Sequence, residues 1–191
     1  ALTTALQAAP ATANTHTPVV FVHGFMGKGG QWDDMRAALA DSGVPEDRLH
    51  VFSYDWARSN TTIAGQLAAH VDGVREQHGV DRVHLVTHSM GGLSSRYYVK
   101  NLGGTETVDQ WISIGGPNNG TNIANLCPSP ITPCQEMRHG SDFLNDLNAG
   151  DPTPGPVRYT TLRSPCDIVI SPTDSTSLPG ADNIQVGCVE H

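Results

Sequence analysis

Val83-His84-Leu85-Val86-Thr87-His88-Ser89-Met90-Gly91-Gly92 joins two kinds of pattern at one serine. The approach is apolar and β-branched (Val83, Leu85, Val86), the composition of a buried strand. The departure (Leu93, Tyr97, Tyr98, Lys100, Leu102) has helical spacing. A strand, a sharp turn and a helix lift a serine hydroxyl above the end of a sheet. The glycines have a physical reason: strand and helix backbones pass close together there, and side chains would clash with a strained turn. The complete pattern is Gly-x-Ser-x-Gly. Here Thr87 stands at the first glycine, so the match is partial, and a plain Ser/Gly loop competes with it.

Outward from Ser89 the chain alternates. Val19-Val20-Phe21-Val22 is fully apolar, as expected of a buried parallel strand. Trp32, Met35, Ala38 and Leu39 follow at helical spacing, ending near Gly43. Residues 49–54 read as a second strand, and Ile63, Leu67, His70, Val71 and Val74 as a helix running to Gly79. The third strand is 82–87. Residues 111–114, 157–162 and 184–186 supply a fourth, fifth and sixth. The rhythm predicts an α/β fold with a mainly parallel sheet of about six strands and helices on both faces. Residues 1–17 read as an irregular N-terminal arm and 18–191 as a single domain. Between 115 and 156 the chain is rich in Gly, Pro and Asn, with a short helix expected around 135–148.

The net charge of −8 excludes the basic face that phosphate binding needs, so nucleic acid is not an expected partner. An anionic membrane surface is disfavoured for the same reason, whereas a neutral substrate is not. No apolar run reaches the roughly 18 residues of a membrane span. The start, Ala1-Leu2-Thr3, reads as a mature chain after removal of a signal peptide, and four cysteines fit export. Cys127 and Cys134 bracket a Pro-rich segment, while Cys166 and Cys188 lie in two later loops. The expected pairs are 127–134 and 166–188, one of three possible pairings. Neither pair has the short spacing of a zinc site, and no metal or cofactor is expected. Gly24 to Gly30 resembles a phosphate loop, but Lys28 precedes Gly29 rather than Ser or Thr. The sequons Asn60-Thr61-Thr62 and Asn119-Gly120-Thr121 are expected to go unused.

A serine becomes a nucleophile when a base lies in reach and an acid orients that base. In chain order after Ser89 come Asp167, following the fifth strand, and His191, following the sixth. Both sit at strand C-terminal ends, where open α/β sheets place their sites. A Cys166–Cys188 bridge would tie the acid loop to the base loop. At the end of the first strand, Val22-His23-Gly24-Phe25-Met26-Gly27 suits an oxyanion hole, with the backbone N–H groups of Phe25 and Met90 aimed at a developing negative oxygen. Alternation along the strand points His88 away from Ser89, which makes it a structural residue. His23 is expected to support the oxyanion loop. Asp174, in a turn-forming segment, is the rival acid. Trp32, Trp56, Phe143 and Ile168 to Ile170 are candidates both for an acyl groove and for plain core packing.

With these residues in view, the chain resembles small secreted bacterial lipases and esterases of the α/β-hydrolase fold, similar to the minimal Bacillus-type and Streptomyces lipases. The resemblance rests on Val22 to Phe25, His88 to Gly92, Tyr97 to Leu102, Ile114 to Gly116, Cys166 to Val169 and Gly187 to His191, and covers about residues 18–191. It implies a secreted monomer that hydrolyses carboxylic esters with apolar acyl chains, using Ser89, Asp167 and His191 as a triad. Polyester hydrolysis or acyl transfer on the same triad, and a non-catalytic binding module of the same fold, remain alternatives. Two departures stand out. Thr87 replaces a small Ala or Gly, and the family's pattern continues past its histidine into a final helix whereas this sequence stops at His191.

Overall fold

The computed structural model describes residues 16–128 and 130–191; the expected arm, 1–17, therefore lies outside the described residues except for its last two. Six strands form one parallel sheet: β1 Val19–Val22, β2 Leu49–Phe52, β3 Val83–His88, β4 Val108–Ile114, β5 Arg158–Arg163 and β6 Asp182–Gln185. Their order is β2-β1-β3-β4-β5-β6, with every neighbouring pair parallel. The direction of winding reverses between β1 and β3, and at such a switch point the loops leaving two adjacent strands part and open a crevice.

The helices are α1 Asp33–Asp41, α2 Asn60–His78, α3 Gly91–Asn101, the single turn α4 Gly104–Thr107, α5 Thr132–Glu136 and α6 Asp142–Asn148. Side-chain alternation along the strands divides the core in two. Val20, Val22, Leu85 and Trp111 face α2, α3 and α6, whose Ile63, Leu67, Leu93 and Leu144 complete the larger cluster. Val19, Phe21, Val86 and Ile112 face the other way, toward Trp32 and Leu39 on the α1 side. Helices thus cover both faces of the sheet.

Element ends follow local chemistry. Ser59 caps α2 by accepting from Thr62 N–H, and Gly79 in the left-handed region ends it. The second strand stops at Phe52, two residues before the expected end, because Tyr54 leaves the sheet to stack on His23 and donate its hydroxyl to the His23 carbonyl. The single helix expected around 135–148 is two: Gly140 at φ 70° breaks it and Ser141 starts a new one by accepting from Leu144 N–H. Disulfides join Cys127 to Cys134 and Cys166 to Cys188.

Candidate active site

Ser89 occupies the turn between β3 and α3 at φ 53°. A non-glycine residue there carries a steric cost that the surroundings must hold in place. The restraints are visible. Ser89 N–H donates to the Ile114 carbonyl at 2.9 Å, and the Ser89 carbonyl accepts from Gly92 N–H at 3.0 Å. Among the described residues the other non-glycine residue at positive φ is Met26, at 57°, in the turn after β1. Both strained residues therefore flank the switch point, and sequence reading had singled out Met26 only as part of a loop.

Two close approaches explain the glycines. A Cβ on Gly24 would lie 2.7 Å from Ser89 Cβ, so the turn after β1 packs directly on the serine. A Cβ on Gly91 would strike the His23 carbonyl and come within 2.7 Å of the Val22 carbonyl, so the first turn of α3 rests on the end of β1. Thr87 is accommodated: it is fully buried and its hydroxyl donates to the Ile112 carbonyl at 2.9 Å, which gives the larger side chain a polar partner inside the sheet.

The N–H groups of Phe25 and Met90 stand on the two sides of this junction. Among the described residues neither has a hydrogen-bond partner, while Gly27 N–H closes the turn onto the Gly24 carbonyl at 3.1 Å. His23 is buried, with Nδ1 on the Gly24 carbonyl at 3.0 Å and its ring stacked on Tyr54. Burial pushes its pKa down, against two backbone hydrogen bonds that raise it.

Asp167 lies in the loop after β5. Its Oδ1 accepts from Val169 and Ile170 N–H, both at 2.9 Å, and its Oδ2 faces His191 Nδ1 at 2.9 Å. A carboxylate only accepts, so in this contact the proton sits on Nδ1, and Nε2 is the ring nitrogen left outside it. The side chains are 5% and 13% exposed, which strengthens the pairing relative to water. Asp174, the rival acid, is exposed in a different turn. The Cys166–Cys188 bridge has one half-cystine next to Asp167 and the other three residues before His191, and Ser164 Oγ donates to the Val189 carbonyl while accepting from Val189 and Cys166 N–H, so the two loops are stitched together.

The structure thus brings Asp167 and His191 into contact and sets Ser89 across Ile114 and Gly115 from them, with the His191 ring 3.2 Å from where a Gly115 Cβ would stand. Among the described residues Ser89 Oγ and His191 make no hydrogen bond; contacts of this type commonly tighten when substrate binds. An open groove of about 680 Å³ leads away from His191 between Trp32, Met35 and Ala38 on one side and His88 and Ile114 on the other. Of the other groove candidates, Trp56 packs edge-on against Phe25, Phe143 stacks on Tyr97, Ile170 is buried and Ile168 is 81% exposed beside His191. Among the described residues no three His, Cys, Asp or Glu side chains group to hold a metal, and no helix is long and apolar enough to cross a membrane.

Comparison with known proteins shows the family and the fold. The signature of the lipase (class 2) family matches residues 16–179, which include Ser89 and Asp167. The chain belongs to that family. Its curated relatives include a triacylglycerol lipase of Pseudomonas fragi, 29% identical over 118 residues (59% of this chain, 39% of the relative). A triacylglycerol lipase of Burkholderia plantarii is 28% identical over 158 residues, 78% of this chain and 38% of the relative. The class 2 chain described here spans about two fifths of the length of these relatives. In fold it is similar to the mature Bacillus licheniformis lipase BlEst2, with TM-score 0.78 and 21% identity over 96% of this chain and 87% of that one. Aspergillus fumigatus lipase B aligns with TM-score 0.75 and 18% identity over 93% and 47%. The fold is a minimal α/β-hydrolase.

Proposed function

We propose that this class 2 lipase chain is a serine carboxylester hydrolase acting on neutral esters with apolar acyl chains. The observation that carries the reading is the left-handed φ of Ser89 at the β3–α3 turn, a strained position at the switch point with unpartnered N–H groups on either side. Ser89 Oγ attacks the ester carbonyl. His191 Nε2 takes the serine proton and then gives it to the leaving alkoxide. Asp167 holds the proton on Nδ1 and stabilises the imidazolium. The Phe25 and Met90 N–H groups receive the oxyanion. Water, deprotonated by the same imidazole, releases the acid from the acyl-enzyme. No step calls on a metal or cofactor. The net charge of −8 favours an uncharged substrate over an anionic one. The two disulfides and the bacterial relatives support a secreted protein. The single sheet supports residues 18–191 acting as one catalytic domain, and we place it in solution as a monomer.

Turnover of p-nitrophenyl esters of graded acyl length tests the reading. Ser89→Ala is expected to lower kcat by about 10⁴-fold or more with an unchanged circular-dichroism spectrum. A variant with near wild-type turnover would remove Ser89 as nucleophile. A chain that binds esters without turnover would instead be a binding module of the same fold.

A further inference from the structure

Alternation along β3 turns His88 away from Ser89, and the contacts show what it turns toward. The His88 ring lies against the His191 ring, with centroids 4.6 Å apart and planes tilted by 43°. His88 Nδ1 accepts a long hydrogen bond from Gln31 Nε2, 3.4 Å away. The Gln31 amide oxygen in turn rests on Gly27, at 2.6 Å from where a Cβ would stand. A continuous line of contacts therefore runs from the turn after β1, through Gln31 and His88, to His191 and Asp167.

We infer that His88 is a positioning residue for His191: its ring is a shelf that fixes the rotation of the base, and Gln31 holds the shelf. The inference rests on the ester-hydrolase reading and deepens it. Among the described residues Asp167 is the sole hydrogen-bond partner of the His191 ring, at Nδ1. The ring is thus held by its own Cβ–Cγ bond and this one hydrogen bond, and rocking about Cβ–Cγ within the tolerance of that bond swings Nε2 out of line with the serine. The tilted His88 ring packed against the imidazole limits that rocking, and a reacting atom misplaced by 1 Å costs about 10²-fold in rate.

The shelf also has the right charge. The charged or titratable groups nearest His88 are His191 after β6 and Asp167 after β5; Arg163 at the end of β5 and Glu190 line the cavity they share, Gln31, before α1, is neutral, and Asp34 of α1 lines the open groove. Burial pushes the His88 pKa down to about 4, His191 pushes the same way, and Asp167 opposes. Above roughly pH 5 the His88 ring is thus uncharged, and the imidazolium that forms on His191 meets a neutral aromatic ring and not a second cation. Donation by Gln31 to Nδ1 selects the tautomer with its proton on Nε2.

Two variants and two readouts test this. His88→Ala is expected to lower kcat by roughly 10- to 100-fold with KM within about twofold, and His88→Phe, which restores an uncharged ring, to recover kcat to within about threefold of wild type. Alanine at wild-type kcat, or phenylalanine as slow as alanine in a folded protein, would overturn the inference. The second readout needs no turnover: the downfield proton-NMR signal of His191 Nδ1–H, sharp in wild type and in His88→Phe, is expected to broaden or exchange out in His88→Ala. An unchanged signal in the alanine variant would equally overturn it. Wild-type protein that turns over no ester would contradict the proposed hydrolase, while the NMR comparison would still judge the shelf.

Discussion

At the residue scale, proton positions set how Asp167 and His191 meet. Asp167 spends one oxygen on two backbone N–H groups of its own loop and presents the other to His191. Replacing that oxygen by an amide keeps the shape and reverses the hydrogen bond, which favours the wrong imidazole tautomer. Asp167→Asn is therefore expected to lower kcat by about 10⁴-fold at pH 7 without changing the melting temperature by more than a few degrees, as read by ester turnover and thermal denaturation. A loss below tenfold would show that another group orients the base. Ser89 and Asp167 were legible as candidates because each sits in a local pattern, one between strand and helix, the other just after a strand. The His88–His191 contact was not. The two residues are about a hundred positions apart, and alternation along β3 says where His88 does not point but nothing about what the last loop brings to meet it.

At the scale of elements, apolar periodicity located the buried strands and the three long helices, because buried strands and amphipathic helices must write their burial into their composition, whereas β6, exposed at all four residues, begins at Asp182, two residues before the expected start at Ile184. Ends were less legible. Tyr54 reads as strand by type, yet its hydroxyl has a partner at the His23 carbonyl, and that long-range bond takes the residue out of the sheet. The junction of α3 with β1 makes a sharper demand. Both atoms that a Gly91 side chain would meet first are backbone carbonyls, which cannot rotate away. Gly91→Ala is expected to destabilise the protein by about 1–3 kcal/mol and to move the Ser89 turn, measured as a lower urea midpoint with reduced turnover. Wild-type values for both would mean that β1 and α3 separate easily. The Cys166–Cys188 bridge joins positions 22 apart in sequence, for which the chain-entropy model gives about 3 kcal/mol of stabilisation. Because it joins the loop of Asp167 to the loop of His191, its reduction is expected to cost activity at temperatures where circular dichroism is still native. Loss of the two together would make the bridge a general staple only.

On the scale of the whole molecule, one buried and four partly buried histidines contribute to the response to acid. His23, His50, His70, His84 and His88 all have their pKa lowered, in each case first by burial. Between a depressed native pKa and the unfolded value near 6.5 the unfolded chain binds more protons than the native one, so stability rises with pH across that window. These groups leave stability whole above about pH 6.5 and remove it as the pH falls through their native values, which for His88 is about 4. The melting temperature is expected to fall steadily from pH 6.5 to 4.5, and His88→Phe to fall less steeply. A flat profile over that range would contradict the burial of these rings. None of this was readable from composition, since nine histidines in a sequence carry no record of which are desolvated.

The central claim is that the β3–α3 turn makes Ser89 a nucleophile. Covalent labelling measures this most directly, because an alkyl p-nitrophenyl phosphonate reacts with an activated serine and leaves ordinary hydroxyls untouched. Intact-mass spectrometry at pH 8, followed by peptide mapping, is expected to show one adduct per chain, located on Ser89, with loss of ester turnover in proportion to labelling. A chain that stays unlabelled while folded, or that carries its adduct on another residue, would contradict the claim.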